Sequence, residues 1–189
     1  MSKKISTLLL ILSIACFSFL ALGSGTEDDS PSKEPGESAA TGETADSSPA
    51  SAAAQEKTFA LKETAVFASI KVTANQVKRS AGSEYMKPAS GKVFVGVEFT
   101  IENVSTEDQS ISSILLFEAY ADDSKCEYSF SAGMAFTEGT LDGSLSPGKK
   151  MTGYYAVEVS TDAKKLELEV KSSWLNASKA TFAIDIPQS

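Results

Sequence analysis

The stretch GKVFVGVEFTIEN, Gly91 to Asn103, alternates Val93, Val95, Val97, Phe99 and Ile101 with Lys92, Phe94, Gly96, Glu98, Thr100 and Glu102. A period of two held this long is that of a β-strand with one face in a core. Shorter alternations follow down the chain, separated by Gly, Pro, Asp and Ser turns, and no apolar pattern repeats at helical spacing for more than a turn. The pattern predicts an all-β domain rather than one built on crossover helices.

Before this strand the sequence predicts another over Val66 to Ala74 and a polar loop over Gln76 to Pro88. After it come a polar break, Asn103 to Ser110, and the nearly continuous apolar stretch Ile111 to Tyr120, which suits a central strand. Asp122, Asp123 and Ser124 turn the chain into a short strand, Lys125 to Phe130. Ser131 to Ser146 reads as a long loop, because Gly133, Gly139 and Gly143 discourage a regular element. Pro147 and Gly148 then make a turn that launches a strand alternating Met151, Gly153, Tyr155, Val157 and Val159 with Thr152, Tyr154, Ala156 and Glu158. Leu166, Leu168 and Val170, and finally Phe182, Ile184 and Ile186, mark the last two strands.

About seven strands at this spacing predict two packed antiparallel sheets, an immunoglobulin-like β-sandwich. The Cys–Trp–Cys pin of antibody domains is absent, which leaves aliphatics, Phe99 and Phe117 to hold the sheets together. Trp174, the single tryptophan, falls beyond the central strands. It reads as a partly buried plug, with a ligand-stacking surface residue as the alternative.

Two further segments precede the domain. Lys3 and Lys4 stand before an apolar run from Ile5 to Leu22, the charged head and hydrophobic body of a signal peptide or membrane anchor. Three fates are open to residues 1–23. Ala21 and Gly23 suit cleavage after Gly23; Cys16, preceded by Ala15, is a candidate for lipidation; and a run of about 18 residues is long enough for a retained anchor. All three place the chain beyond Ser24 outside the cytoplasm, either secreted or anchored to the outer face of the membrane.

Residues 24–56 lack any large apolar side chain and carry Glu27, Asp28, Asp29, Glu34, Glu37, Glu43, Asp46 and Glu56 against a single base, Lys33. Such a composition predicts a disordered acidic linker, a spacer reaching roughly 30 Å or more. It also holds most of the net charge of −8. The domain from Lys57 to Ser189 is therefore near neutral, offers no basic footprint for nucleic acid, and is expected to fold alone as a monomeric head.

The chain has no histidine, which removes the commonest general base, the usual activator of Ser or Cys nucleophiles and the commonest zinc ligand. Glu118, Asp122, Asp123 and Glu127 gather in sequence around one turn. They lack the spaced Asp, central Gly and terminal Glu of a calcium loop, and no phosphate-binding Gly loop precedes a helix. No catalytic residue, metal ligand or cofactor site is assigned. Cys126 has no partner for an internal disulfide, because Cys16 lies in the leader, and its alternation with Tyr128 and Phe130 reads as a buried structural thiol. Asn103-Val104-Ser105 and Asn176-Ala177-Ser178 match the N-glycosylation pattern.

Taken together, the strand from Gly91, Lys92, Val93 and Phe94 to Thr100, Ile101, Glu102 and Asn103, then Phe117 with its acidic turn, then Leu145, Pro147, Gly148, Lys149, Lys150 and Gly153, resembles the domain-of-unknown-function family four-three-five-two. The likeness spans about Phe59 to Ile186. It implies an exported domain, mainly of Gram-positive bacteria, with a fold similar to that of the mycobacterial secreted immunoprotective antigen. It implies no catalytic positions; Gly91, Asn103, Pro147, Gly148 and Gly153 carry over as structural positions only. A lipobox cysteine directly before the linker, usual in lipoprotein members, is missing here.

The expected function is a non-catalytic, surface-associated or secreted binding module for a protein, glycan or cell-wall component. A structural or assembly subunit of a surface complex is the first alternative, and a carboxylate-based hydrolase the second. Candidate contact residues are Tyr154, Trp174, Asp122 and Asp123, with the Gly133 to Pro147 loop long enough to recognise a ligand.

Overall fold

The central strand is paired on both sides over Phe94 to Glu102. In the computed structural model, which describes residues 31–33, 57–173, 175 and 178–188, the strands are β1 (Ser32–Lys33), β2 (Thr58–Phe59), β3 (Thr64–Val66), β4 (Ile70–Ser80), β5 (Lys92–Asn103), β6 (Gln109–Ile111), β7 (Phe117–Ala121), β8 (Ser124–Cys126), β9 (Gly143–Leu145), β10 (Lys150–Ser160), β11 (Lys165–Lys171) and β12 (Lys179–Asp185). Two short helices interrupt them, α1 (Ser113–Leu116) and α2 (Phe130–Met134).

Sheet A has the order β1-β3-β4-β5-β10 and sheet B the order β2-β12-β11-β7-β8, with β6-β9 as a separate ribbon. Apart from the parallel pair β2/β12, all pairings are antiparallel. The protein is an all-β sandwich, as the alternation predicts.

Val93, Val95, Val97, Phe99 and Ile101 turn into the core between the sheets, the last four with no exposed surface. Opposite them come Phe117, Leu166, Leu168, Val170, Phe182 and Ile184 from sheet B. Phe99 meets Phe117 edge-on at 5.1 Å and Phe182 at 5.4 Å, and Phe117 stacks on Tyr155 at 5.0 Å. These contacts take the place of a disulfide pin.

The outer face of β5 is not simply exposed. Phe94 is fully buried beneath α2, in a small second core with Ala132, Ala156 and Phe136. Gly96 makes room for that cover, since a Cβ there would stand 2.8 Å from the Phe136 ring.

Asn103 ends β5 as a buried hub. Its amide nitrogen donates to the carbonyls of Glu107 and Leu145, both at 2.7 Å, and its side-chain oxygen accepts the Ser105 N–H and hydroxyl. The Gly148 N–H reaches the Asn103 carbonyl at 2.9 Å, and Lys149 N–H closes the Pro147–Gly148 turn on Ser146 O at 3.0 Å, with Gly148 at φ +70. A positive φ at the third position is what a type II turn demands of glycine. A buried amide whose every polar atom is engaged is no acceptor for a glycan, so the match at Asn103 is coincidental.

Several strand expectations are corrected. Val66 to Ala74 is a hairpin, because Phe67 N–H bonds Ile70 O at 2.9 Å and folds the chain back. β4 runs on through the expected Gln76 loop to Ser80, since its register shift between Ala74 and Gln76 lets it keep pairing with β5 as far as Ser80↔Phe94. Ile111 to Tyr120 is split by α1: Asp142 accepts the Ser113 N–H and hydroxyl at 2.8 and 2.9 Å, pulling this turn outward and leaving Ile114 and Leu115 exposed. The Lys125 to Phe130 strand stops at Cys126, and the Ser131 to Ser146 loop contains both most of α2 and β9.

Ser32 and Lys33, within the segment expected to be a free linker, pair with β3. Apart from Pro31, the rest of the linker and the leader with its three fates lie outside the described residues.

Val97→Asp places a charge at a fully buried position in the middle of the sandwich and is expected to cost about 4 kcal/mol. Glu98→Ala on the opposite face stays within about 0.5 kcal/mol. Chemical denaturation of the two variants checks this, and equal midpoints would contradict the register.

Candidate functional site

Sheet A ends on β10 and sheet B ends on β8. These two edges are joined by one isolated bridge, Tyr128↔Val157. Beside the bridge they part, leaving an open groove of about 690 Å³. Its floor is apolar, formed by Ala121, Cys126, Val159 and Ala163, while Lys92, Lys125, Asp122, Glu127 and Glu158 stand around it. Tyr128 and Phe130 line it as well, and they are 49% and 65% exposed, with Met134 of α2 at 47%.

Local sequence explains why these rings face out. Ser129 caps α2, its hydroxyl accepting the Ala132 N–H at 3.1 Å. A serine in this role starts a helix, so the strand alternation breaks after Tyr128 and Phe130 opens a helix instead of entering the core. Tyr128, Phe130, Met134 and Phe136 also line a smaller cavity of about 190 Å³ on the other side of the bridge. Sequence reasoning missed Tyr128, Phe130 and Met134 as surface residues. The signal was present in the serine three residues before Ala132.

The predicted contact residues separate in space. Tyr154 is half-buried, stacked on Phe136 at 5.3 Å, with its hydroxyl accepting from Gln76 Nε2 at 2.9 Å and Lys78 Nζ 5.2 Å from its ring centre. It lines the smaller cavity but packs under the loop. Asp122 reaches the groove, and its carboxylate accepts the backbone N–H groups of Lys164 at 3.2 Å and Lys165 at 3.0 Å. With Asp123 it makes a two-residue turn in left-handed backbone geometry, φ +44 and +68. Asp123 points to solvent and is not part of the groove wall. Trp174 and Cys16 lie outside the described residues.

Glu118, which gathers in sequence with Asp122, Asp123 and Glu127, is not part of the groove lining, where Asp122 and Glu127 stand. Glu118 lies on the outer face of sheet B between Lys171 at 2.8 Å and Lys125 at 3.1 Å. Hydrogen bonds from Lys171 and then Lys125 hold its carboxyl down at about 2, against an ordinary 4.5. A general acid would need the opposite shift. Among the described residues no group of three His, Cys, Asp or Glu side chains is placed to hold a metal ion. Cys126 is half-buried in the groove wall, and desolvation raises its thiol pKa. This favours the inert thiol expected of a structural residue.

With this geometry in view, the model of the family Domain of unknown function (DUF4352) matches residues 59–181. The chain belongs to this family. Solved structures share the architecture of this DUF4352 domain. A candidate lipoprotein of Bacillus subtilis strain 168 is 19% identical, with 62% of this chain and 36% of that one covered and a TM-score of 0.50. This chain thus spans about a third of that protein's length, and at such identity the likeness is one of fold.

An uncharacterised β-sandwich protein of Clostridium difficile 630 is 15% identical over 74% of this chain and 100% of that one, with a TM-score of 0.48. The secreted protein MPT63 of Mycobacterium tuberculosis is 11% identical over 70% and 99%, with a TM-score of 0.48. No curated protein matches the chain.

The Glu118 network has a pH signature. Its folded pKa lies below the unfolded one, so its stabilisation is complete above about pH 4.5 and disappears as pH falls toward 2. Glu118→Gln is expected to destabilise the domain by about 1 kcal/mol at pH 7, allowing for solvent screening, and by nothing measurable at pH 2. Paired thermal melts at the two pH values test the sign.

Proposed function

We propose that this DUF4352 chain is a non-catalytic extracytoplasmic binding module, which meets its partner at the groove between β8 and β10. The observation that carries this reading is the concentration of exposed Tyr128, Phe130 and Met134 at one place on the domain. Large rings left in water beside a groove are characteristic of recognition surfaces, because burying them against a partner yields far more than burying a polar rim residue. The apolar floor and mixed charges around it supply shape and orientation.

The partner is a protein, glycan or wall component of the cell envelope. Export is supported by Lys3, Lys4 and the apolar run Ile5 to Leu22, and the description of the similar Bacillus structure as a candidate lipoprotein is in keeping with it. The hydrolase alternative loses support from Glu118, whose carboxyl is neutralised by two lysines rather than held ready for proton transfer. The remaining alternative, an assembly subunit, would use the same apolar patch.

Tyr128→Ala combined with Phe130→Ala removes the rim rings without touching the buried core. The double variant is expected to melt within about 1 kcal/mol of the parent and to lose at least tenfold in retention of cell-envelope material. Surface plasmon resonance against fractionated envelope protein and glycan reads this, and undiminished retention would refute the groove as the binding site.

A further inference from the structure

Sheet A is closed at one end by a piece of the segment that precedes the domain. Its neighbour, β3, is three residues long and would otherwise be the sheet edge. The Phe67 N–H to Ile70 O bond closes the β3–β4 hairpin. Antiparallel alternation from that bond turns the backbone groups of Ala65 toward β4 and those of Thr64 and Val66 outward. An uncovered row of such groups is the template by which a sheet recruits another strand.

The covering strand sits with Ser32 opposite Val66 and Lys33 opposite Ala65. Lys33 Nζ lies 2.8 Å from Glu63 Oε2 and 5.5 Å from the centre of the Phe59 ring. The same Glu63 oxygen accepts the Ala60 N–H at 2.7 Å, which orients the carboxylate independently of the lysine. Pro31 is buried at the start of the contact. The edge thus offers a backbone ladder, an anion beside an aromatic ring for one lysine, and a seat for a proline.

We propose that the β3 edge is a strand-addition site for an extended Pro-Ser-Lys segment, and that Pro31–Lys33 of the same chain is its resident occupant. Two paired residues, one exposed ion pair, the Lys33 contact with the Phe59 ring and the buried Pro31 hold this occupant, so it is released more readily than any core strand. Residues 34–56 tie it to the domain, which raises its concentration at the edge to the order of millimolar. Proline and lysine also stop the sheet there, since both blunt an edge against further pairing. The occupant is therefore a releasable cap on an interaction surface distinct from the groove.

Amide hydrogen exchange at Val66, the outward amide opposite Ser32, tests this in the full chain. Two variants are compared with the parent: Lys33→Glu, and the combination Pro31→Gly, Ser32→Gly and Lys33→Gly. Exchange at Val66 is expected to rise about fivefold or more in each variant, while core amides such as Val95 and Val157 are unchanged. Lys87→Glu, in an exposed loop, serves as the charge control. A synthetic peptide of residues 29–35, supplied at millimolar concentration, is expected to restore slow exchange in the triple-glycine variant. Equal exchange at Val66 in the parent and both variants would overturn the docked cap. Fast exchange that the peptide fails to slow would overturn the strand-addition site.

Discussion

The sandwich depends on how Phe99 meets sheet B. Its ring touches Phe117 of β7 and Phe182 of β12, Phe182 continues to Phe59 of β2 at 5.3 Å, and Phe117 stacks on Tyr155 of β10. One connected set of rings therefore spans both sheets and five strands. Each aromatic pair contributes about 0.5–1.5 kcal/mol beyond its buried area. The larger effect is on register, because a slip of one residue in β5 would turn Phe99 to the outer face and bring a charged neighbour inward. With β5 so placed, β4 and β10 follow as its partners, and Asn103 at its end ties the β5, β9 and turn backbones together.

What was legible in the sequence follows from how many constraints act at each place. β5, β10, β11 and β12 carry long alternations backed by burial on one face, and they read correctly. Val66 to Ala74 and Ile111 to Tyr120 failed for one shared reason. A tight turn of two to four residues can sit inside an apolar run without interrupting its composition; the bonds that fix it, Phe67 N–H to Ile70 O in one case and Ser113 to Asp142 across 29 residues in the other, do not show in the alternation. Phe99 and Phe117 were legible as the pin once the disulfide was seen to be missing.

The candidate site was less legible. Asp122 and Asp123 read correctly as a turn, yet the backbone partners of Asp122 at Lys164 and Lys165 come from the distant β10–β11 connection. Tyr154 has the alternation of an outward residue, and it is Phe136, brought over it by α2, that half-buries it. Tyr128 and Phe130 looked like core because they continued the alternation of Cys126. The capping serine between them redirects the chain, and a local cap prevails over a three-residue pattern.

An open two-sheet sandwich has four edges, and each must be shortened, covered or used. Here β2 is two residues long, β3 lies under Pro31–Lys33, and the outer side of β10 is partly covered where Thr140 N–H bonds Thr152 O at 3.0 Å and α2 packs nearby. Just past β8, the chain bridges to the β10 edge at Tyr128 and Val157. The groove is thus the place where closure of the sandwich is left incomplete. Of the acids near this side of the molecule, Glu118 is committed to two lysines, Asp122 to backbone N–H groups of Lys164 and Lys165, and Glu158 to the Ala89 N–H. Exposed rings at the mouth of an unfinished edge are the groups left with something to gain from a partner. That is the physical ground on which the proposed recognition role rests.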